Sequence, residues 1–267
     1  MSTTKTPLSK TRRTQTVERA ALVLTCFTNE EPLLGLPDLA NRLGLDQSTL
    51  YRYISALRGA ALLERDERRG GYRLGLRIIE LAGVALNQSE LRKHAVDEMD
   101  RLRDTFSLLV NLGVLFEGDV MHLAVSAPAG WPRWFTTVGR RAVAHCTAQG
   151  KVLLAYRPWE EVRRTVERYG WRPCTDNSIR TFDRLQTELE KIRNQGFAVD
   201  EQERRVGSTC IGVPIRDYTG DVVAALSISG TLTTLSPERY HEVLPALQSA
   251  ASRISLHLGH HGSSVIF

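Results

Sequence analysis

The chain has 267 residues, 42% of them hydrophobic and 24% charged, with 20 Gly and 10 Pro. This composition excludes a disulfide-stapled mini-protein and a disordered chain, and the length predicts about two domains, each able to bury its own core. The net charge of +5 is concentrated at one end: residues 1–80 carry 13 Lys and Arg against 9 Asp and Glu, and residues 81–267 carry 22 against 21. A basic module joined to a nearly neutral remainder fits a polyanion-binding segment coupled to a domain with a different task.

The cysteines Cys26, Cys146, Cys174 and Cys210 lie far apart without C-x-x-C spacing. Neither a zinc ribbon nor a thioredoxin-type pair is predicted, no cofactor is expected, and a reduced, cytoplasmic setting fits best. No apolar h-region follows the basic N-terminus, and the longest apolar runs, such as 222–228, fall far short of a bilayer span, so neither secretion nor membrane insertion is expected.

In chain order, residues 1–14 read as a mobile basic tail. Val17, Ala20, Ala21, Leu24 and Phe27 recur at helical spacing, predicting a first helix over 17–27 that ends at the Pro32 breaker. A second helix is predicted over 37–43, with Pro37 in its first turn and Gly44 closing it where φ > 0 is cheap. A third begins after Asp46 as N-cap and runs to about Gly59. It buries Leu50, Tyr53, Ile54 and Leu57 and leaves Gln47, Ser48, Tyr51, Arg52, Ser55 and Arg58 outward or on the flanks. A short helix, a Gly turn and a helix with a polar outer face spell a helix-turn-helix.

Residues 62–74 predict a strand, a turn at Gly70-Gly71 and a returning strand, a wing with Arg65, Arg68 and Arg69 near its tip; a solvated basic hairpin is the plainer reading. Residues 76–106 predict one long or broken helical stretch whose apolar stripe calls for a partner helix, from another subunit or from the wing domain. Beyond it, strands over 108–116 and 120–126 and over 210–216 and 221–229 make two antiparallel hairpins. They bracket helices near 150–155, 158–169 and 181–195, and a last helix runs over 237–258 with Ser236 as candidate cap. The expected class is α+β: a winged helix-turn-helix over 15–75, a linker helix over 76–90, an antiparallel sheet with flanking helices over 91–258, and a tail over 259–267.

With these pieces in order, the chain resembles the IclR family of bacterial transcriptional regulators from about Gln15 to Leu258. The segment LANRLGLDQSTLYRYISALRGAALLERDERRGGYRLG is similar to that family's winged helix-turn-helix. VGRRAVAHCTAQGKVLLA resembles the approach to its ligand pocket, and GFAVDEQERRVGSTCIGVPI resembles its signature, with Asp200, Glu201, Glu203, Gly207, Cys210 and Pro214 in place. The resemblance implies a C-terminal domain similar to GAF and PAS sensor folds that binds a small metabolite, a small carboxylate or an aromatic acid. It also implies a dimer, or a dimer of dimers, on double-stranded DNA. Carried over by position, the pocket would be lined by Ala148 and Gln149, by Asp200 and Cys210, and by Ser227 and Ser229. Gln149 departs from the smaller or apolar residues frequent there, and Trp131 and Trp134 would either close the site or pack.

For DNA, Gln47 and Arg52 at the start of the third helix are the candidates for reading base edges in the major groove, while Ser48, Thr49 and Tyr51 are placed to hold phosphates. Arg58 would do the same or be merely solvated, and Arg65, Arg68 and Arg69 would contact the backbone or minor groove. Two recognition helices about 34 Å or a multiple apart predict a pseudo-palindromic operator. Ser227 and Ser229 alternate with Ile228, so both hydroxyls share one face of a strand, polar pocket wall or exposed sheet face. Asp200 would be a ligand acceptor or a carboxylate held by neighbouring N–H groups. Two alternatives remain: a thiol enzyme using Cys210 with a histidine such as His145, and a winged helix serving only protein contacts. No H-E-x-x-H, G-x-S-x-G, P-loop or G-x-G-x-x-G supports an enzyme.

Overall fold

The computed structural model describes residues 12–131 and 136–262 and divides the chain into two compact units, residues 1–86 and 87–267. In the first unit, helix α1 (Arg12–Thr25) packs with α2 (Leu36–Leu43) and α3 (Gln47–Gly59) around Val23, Leu39, Leu50, Ile54 and Leu57. Helix α1 starts inside the segment expected to be a tail. It stops at Thr25, whose hydroxyl turns back to the Leu22 carbonyl at 2.9 Å. Gly44 adopts φ +61°, the left-handed conformation that glycine reaches without a Cβ penalty, and so reverses the chain between α2 and α3.

Strands β1 (Leu63–Arg65) and β2 (Tyr72–Leu74) pair antiparallel, and Leu34 adds a bridge to Tyr72, closing the wing onto the helices. Helix α4 (Leu76–Asn87) follows and buries no residue: Leu76, Ile79, Leu81 and Val84 are all more than half exposed. The 76–106 stretch is broken at residues 88–89, where Ser89 caps the next helix by accepting the Arg92 N–H at 3.2 Å.

In the second unit, a six-stranded antiparallel sheet has the order β5-β4-β3-β8-β7-β6, built from β3 (Leu109–Phe116), β4 (Asp119–Ser126), β5 (Arg141–Val143), β6 (Ala198–Glu201), β7 (Ser208–Arg216) and β8 (Val222–Thr231). The strands β5 and β6 have no counterpart in the sequence reading because three or four residues carry too little alternation to register. One face, with Leu112, Ile211, Val213, Leu226 and Ile228, packs on α5 (Glu90–Phe106) and α9 (Tyr240–His257). The other receives α6 (Ala148–Ala155), α7 (Trp159–Tyr169) and α8 (Phe182–Gln195). Helix α6 is buried on every side, and α9 is preceded by a 3-10 turn over Pro237–Arg239 rather than starting at Pro237. Among the described residues no helix is long and apolar enough to cross a membrane.

Candidate functional site

Strand pleat and register assemble the principal site. Alternation places every second residue of β3, β7 and β8 on the face beneath α6. The ladders pair Asp200 with Cys210, Cys210 with Ser229 and Ser229 with Leu109, which makes one row across four strands. The neighbouring row runs from Gly212 to Ser227 to Asn111. These rows form the floor of a cavity of about 80 Å³, and the start of α6, Thr147, Ala148 and Gln149, forms a wall.

Glycine at 212 lets the sheet approach the start of α6, and glycine at 150 lets the preceding 3-10 turn fold close against that helix. A Cβ on Gly212 would lie 2.9 Å from the Ala148 carbonyl carbon, and one on Gly150 would lie 2.2 Å from the Ala144 carbonyl oxygen. The six residues expected from the pocket motifs, Ala148, Gln149, Asp200, Cys210, Ser227 and Ser229, all line this one cavity.

Their chemistry differs from what their identities imply. Gln149 is buried and donates both amide hydrogens to the sheet, to the carbonyls of Asn111 and Ala225, each at 2.9 Å, so it has no donor left for a ligand. Asp200 is held by neighbouring N–H groups: Oδ1 accepts from Glu203 at 2.7 Å and Arg204 at 3.2 Å. Burial, reinforced by the charge of Glu203, raises its pKa to about 7. Behind it the Lys151 ammonium, 1% exposed, is clasped by Glu203, Glu188 and the Val199 carbonyl; burial opposes its charge, but the two carboxylates hold its pKa above the ordinary value.

The thiol-enzyme alternative fails on geometry. The Cys210 thiol is pushed up by burial and then by Asp200, the wrong direction for a nucleophile. His145 is not beside it: that imidazole lines a separate crevice and stands edge-on to Trp171 at 5.1 Å, its pKa lowered to about 4 by burial.

Nine further residues line the cavity, and Asn111, His122, Thr136, Arg140 and Arg204 are among those that escaped the sequence reading. Asn111 interrupts the apolar run of β3 at an inward position, a signal that was available; Arg204 lies inside the quoted signature stretch. His122 interrupts the predicted strand over 120–126 in the same way, while Thr136 and Arg140 fall on a segment without a period to expose them. Asn111 Oδ1, His122 Nδ1 and Thr136 Oγ1 are buried and lack a hydrogen-bond partner, an arrangement that calls for a ligand or water to satisfy them. Burial, followed by Arg204 and Arg140, lowers the His122 pKa to about 4 and keeps the ring neutral. Trp131 is half-buried and does not line the cavity, and Trp134 lies outside the described residues.

The second site is the outer face of α3 and the wing. Asp46 caps α3 by accepting from the Ser48 hydroxyl at 2.7 Å and the Thr49 N–H at 2.8 Å, and these bonds hold its pKa near 2. The Ser48 proton is given to the cap in this structure, and Ser48 can donate to a phosphate only by leaving Asp46. Thr49 is half-buried, whereas Gln47, Tyr51, Arg52 and Arg58 are exposed. No acidic side chain among the described residues pairs with Arg52 or Arg58.

At the wing tip Asp66 accepts the backbone N–H groups of Arg68 at 3.0 Å and Arg69 at 2.9 Å, which shapes the turn and leaves both guanidinium groups outward. Arg65 reaches Glu67 at 3.7 Å and, with Arg58, lines a surface groove between α3 and β1. The resulting surface combines free cations and a polar helix start, the pattern that reads and grips DNA.

Comparison with known proteins bears on both sites. Residues 16–67 match the family model for the IclR helix-turn-helix domain, and residues 83–256 match that for the bacterial transcriptional regulator IclR C-terminal region. The chain is 32% identical to the HTH-type transcriptional regulator KdgR of Escherichia coli over 232 residues, 87% of this chain and 88% of the relative. It superposes on the crystal structure of Thermotoga maritima IclR with a TM-score of 0.70 and 27% identity, covering 92% of this chain and 99% of the other. It also superposes on an IclR homologue of Microbacterium hydrocarbonoxydans complexed with 4-hydroxybenzoate, with a TM-score of 0.77 and 27% identity over 91% of this chain and 98% of the other.

Proposed function

The chain belongs to the IclR family of bacterial transcriptional regulators, and from that premise we propose that it binds a small organic acid in the cavity under α6 and thereby changes its hold on DNA. The observation that carries this reading is the cavity's composition: unpartnered polar atoms of Asn111, His122 and Thr136 beside the hydroxyls of Ser227 and Ser229, with Arg140 and Arg204 in the same wall. Arginine forks and hydroxyl donors suit a carboxylate. The protonated form of Asp200, accessible near neutrality, adds a donor where an ionised one would repel. At about 80 Å³ the cavity is smaller than the ~150 Å³ that accommodates benzene, which favours an acid of a few carbons. An aromatic acid is the second reading, supported by the 4-hydroxybenzoate complex of the Microbacterium homologue, and would need the cavity to widen.

In this proposal residues 15–75 grip DNA, residues 76–90 link and residues 91–258 sense. Arg52 and Gln47 read base edges, while Tyr51, Thr49, Arg58 and the wing arginines Arg65, Arg68 and Arg69 hold the backbone. The uncovered apolar residues of α4 support a second copy of the chain as their cover, and two copies present two recognition helices to a pseudo-palindromic operator. The acid shifts DNA affinity by no more than its own difference in affinity for the two arrangements.

A gel-shift titration on the DNA immediately upstream of the protein's own gene, at fixed salt, with two- to four-carbon acids and 4-hydroxybenzoate, tests both halves. The expected result is a salt-sensitive, sequence-specific shift altered by one of the short acids. A specific shift that none of the acids alters would refute the sensor assignment, and alteration by 4-hydroxybenzoate alone would favour the second reading.

A further inference from the structure

Folding brings together two of the cysteines that the sequence keeps 28 positions apart. Cys146 and Cys174 each place Sγ 3.7 Å from the same atom, the carbonyl oxygen of Arg172. Cys146 is buried in the 3-10 turn immediately before Thr147, Ala148 and Gln149, the wall of the cavity. Cys174 is half-buried, and its sulfur accepts a hydrogen bond from Arg204 Nη1 at 3.0 Å; Arg204 itself lines the cavity.

The turn that carries Cys174 is held firmly. The N–H groups of Cys174 and Thr175 donate to Ser178 Oγ at 2.9 and 3.0 Å, and the hydroxyls of Thr175 and Ser178 donate to the Glu203 carbonyl at 3.0 and 2.7 Å. The two sulfurs therefore share one acceptor, one half-buried with a guanidinium against it and the other buried behind it. That asymmetry is the arrangement of an attacking and a resolving thiol.

We propose that Cys146 and Cys174 form a peroxide-reactive dithiol whose oxidation to an intrachain disulfide acts on the cavity wall through Arg204 and the start of α6. Cys174, its proton lost to water, attacks one oxygen of hydrogen peroxide. The S–O bond forms, the O–O bond breaks, and hydroxide leaves and takes up that proton as water. The sulfur of Cys146 then attacks the sulfenic sulfur of Cys174. The S–S bond forms, the S–O bond breaks, and the oxygen leaves as a second water carrying the Cys146 proton. Two thiols lose two electrons, and one peroxide is reduced to two waters. Burial, which pushes the Cys146 thiol up to about 12, agrees with its acting second. In the disulfide the Cys174 sulfur is bound to Cys146 and is a poorer acceptor for Arg204, and the turn preceding α6 is tied to the 172–178 segment. The inference does not depend on which acid the cavity binds.

The test uses the full chain and hydrogen peroxide, with thiol titration, intact mass and non-reducing peptide mapping. Two of the four thiols should disappear, with a fall of about 2 Da for the two hydrogens lost, a peptide pair joining Cys146 to Cys174, and recovery by dithiothreitol. Amide exchange should slow over residues 144–151 and 172–178. Cys174→Ser should lose its remaining thiols at least about tenfold more slowly than the parent, and Cys146→Ser should stop at a dimedone-reactive sulfenic acid on Cys174. Loss confined to Cys26 or Cys210, a cross-link between chains, no loss at all, or equal rates for Cys174→Ser and the parent would each overturn the proposal.

Discussion

Asp200→Asn separates the charge of the cavity floor from its shape. Asp200 is 1% exposed, is hydrogen-bonded through Oδ1 to two backbone N–H groups, and has a pKa of about 7. An unfolded Asp titrates near 3.9, so the native state binds this proton more tightly than the unfolded state does. Its contribution to stability is therefore fully present below about pH 4 and is lost as pH rises through about 7. About three units at 1.36 kcal/mol each put the penalty of the charged form at roughly 4 kcal/mol above pH 7, the attraction of Lys151 being already counted in that pKa.

Asparagine retains the acceptor oxygen and cannot ionise. Urea unfolding followed by the fluorescence of Trp159 and Trp171 should give matching midpoints for the two proteins near pH 4, with the Asn variant increasingly more stable up to a plateau above about pH 7. A difference that does not widen between pH 4 and 7, or a variant less stable than the parent at pH 8, would refute the assignment of a raised pKa to burial. The same proton governs ligand affinity: a carboxylate should bind the parent more tightly as pH falls through about 7, and the Asn variant should lack that dependence.

Arg52→Ala should weaken specific DNA binding by roughly 1–3 kcal/mol and relax one or two base positions, whereas Arg68→Ala should weaken all sequences alike and lower the salt slope; equal losses of Arg52→Ala on specific and random DNA would remove its base-reading role. Gln149→Leu leaves the buried carbonyls of Asn111 and Ala225 without their donor, at a cost of about 1–3 kcal/mol for each acceptor, read as a lowered unfolding midpoint. A variant as stable as the parent would show that the amide's two bonds to the sheet contribute nothing.

Much of the fold was legible because its elements carry strong local signals. The α2–α3 corner follows from Asp46 and Gly44, residues with one good use each, a cap and a left-handed turn. The long hairpins follow from alternation bounded by the turns at Glu117-Gly118 and Asp217–Gly220. Strands β5 and β6 were not legible, since a three- or four-residue strand is specified by the edge it completes and not by its own pattern. Helix α6 was placed two residues late because its true cap, Thr147, precedes a segment buried on every side, in which Gln149 and Lys151 mark no polar face.

For the site, position was more legible than function. That Ser227 and Ser229 share a face follows from a strand's period, and the register adds Asp200 and Cys210 to the same row; only long-range pairing could supply that second step. What residue identity cannot convey is where a polar group spends its hydrogen bonds. Gln149 is polar in sequence and offers no donor to the cavity in the fold, because both its amide hydrogens close on the sheet beneath it. Ser48 is a phosphate candidate whose proton is committed to Asp46. Asn111 and His122, by contrast, sit in strands that read as apolar and retain unpartnered atoms at the cavity. A hydrogen-bonding group recognises a ligand with the capacity left over after folding, and that remainder belongs to the tertiary arrangement. It follows that a polar-to-apolar change at Gln149 should act chiefly on stability, and one at Asn111 chiefly on ligand affinity, although both residues are buried amides on the same cavity.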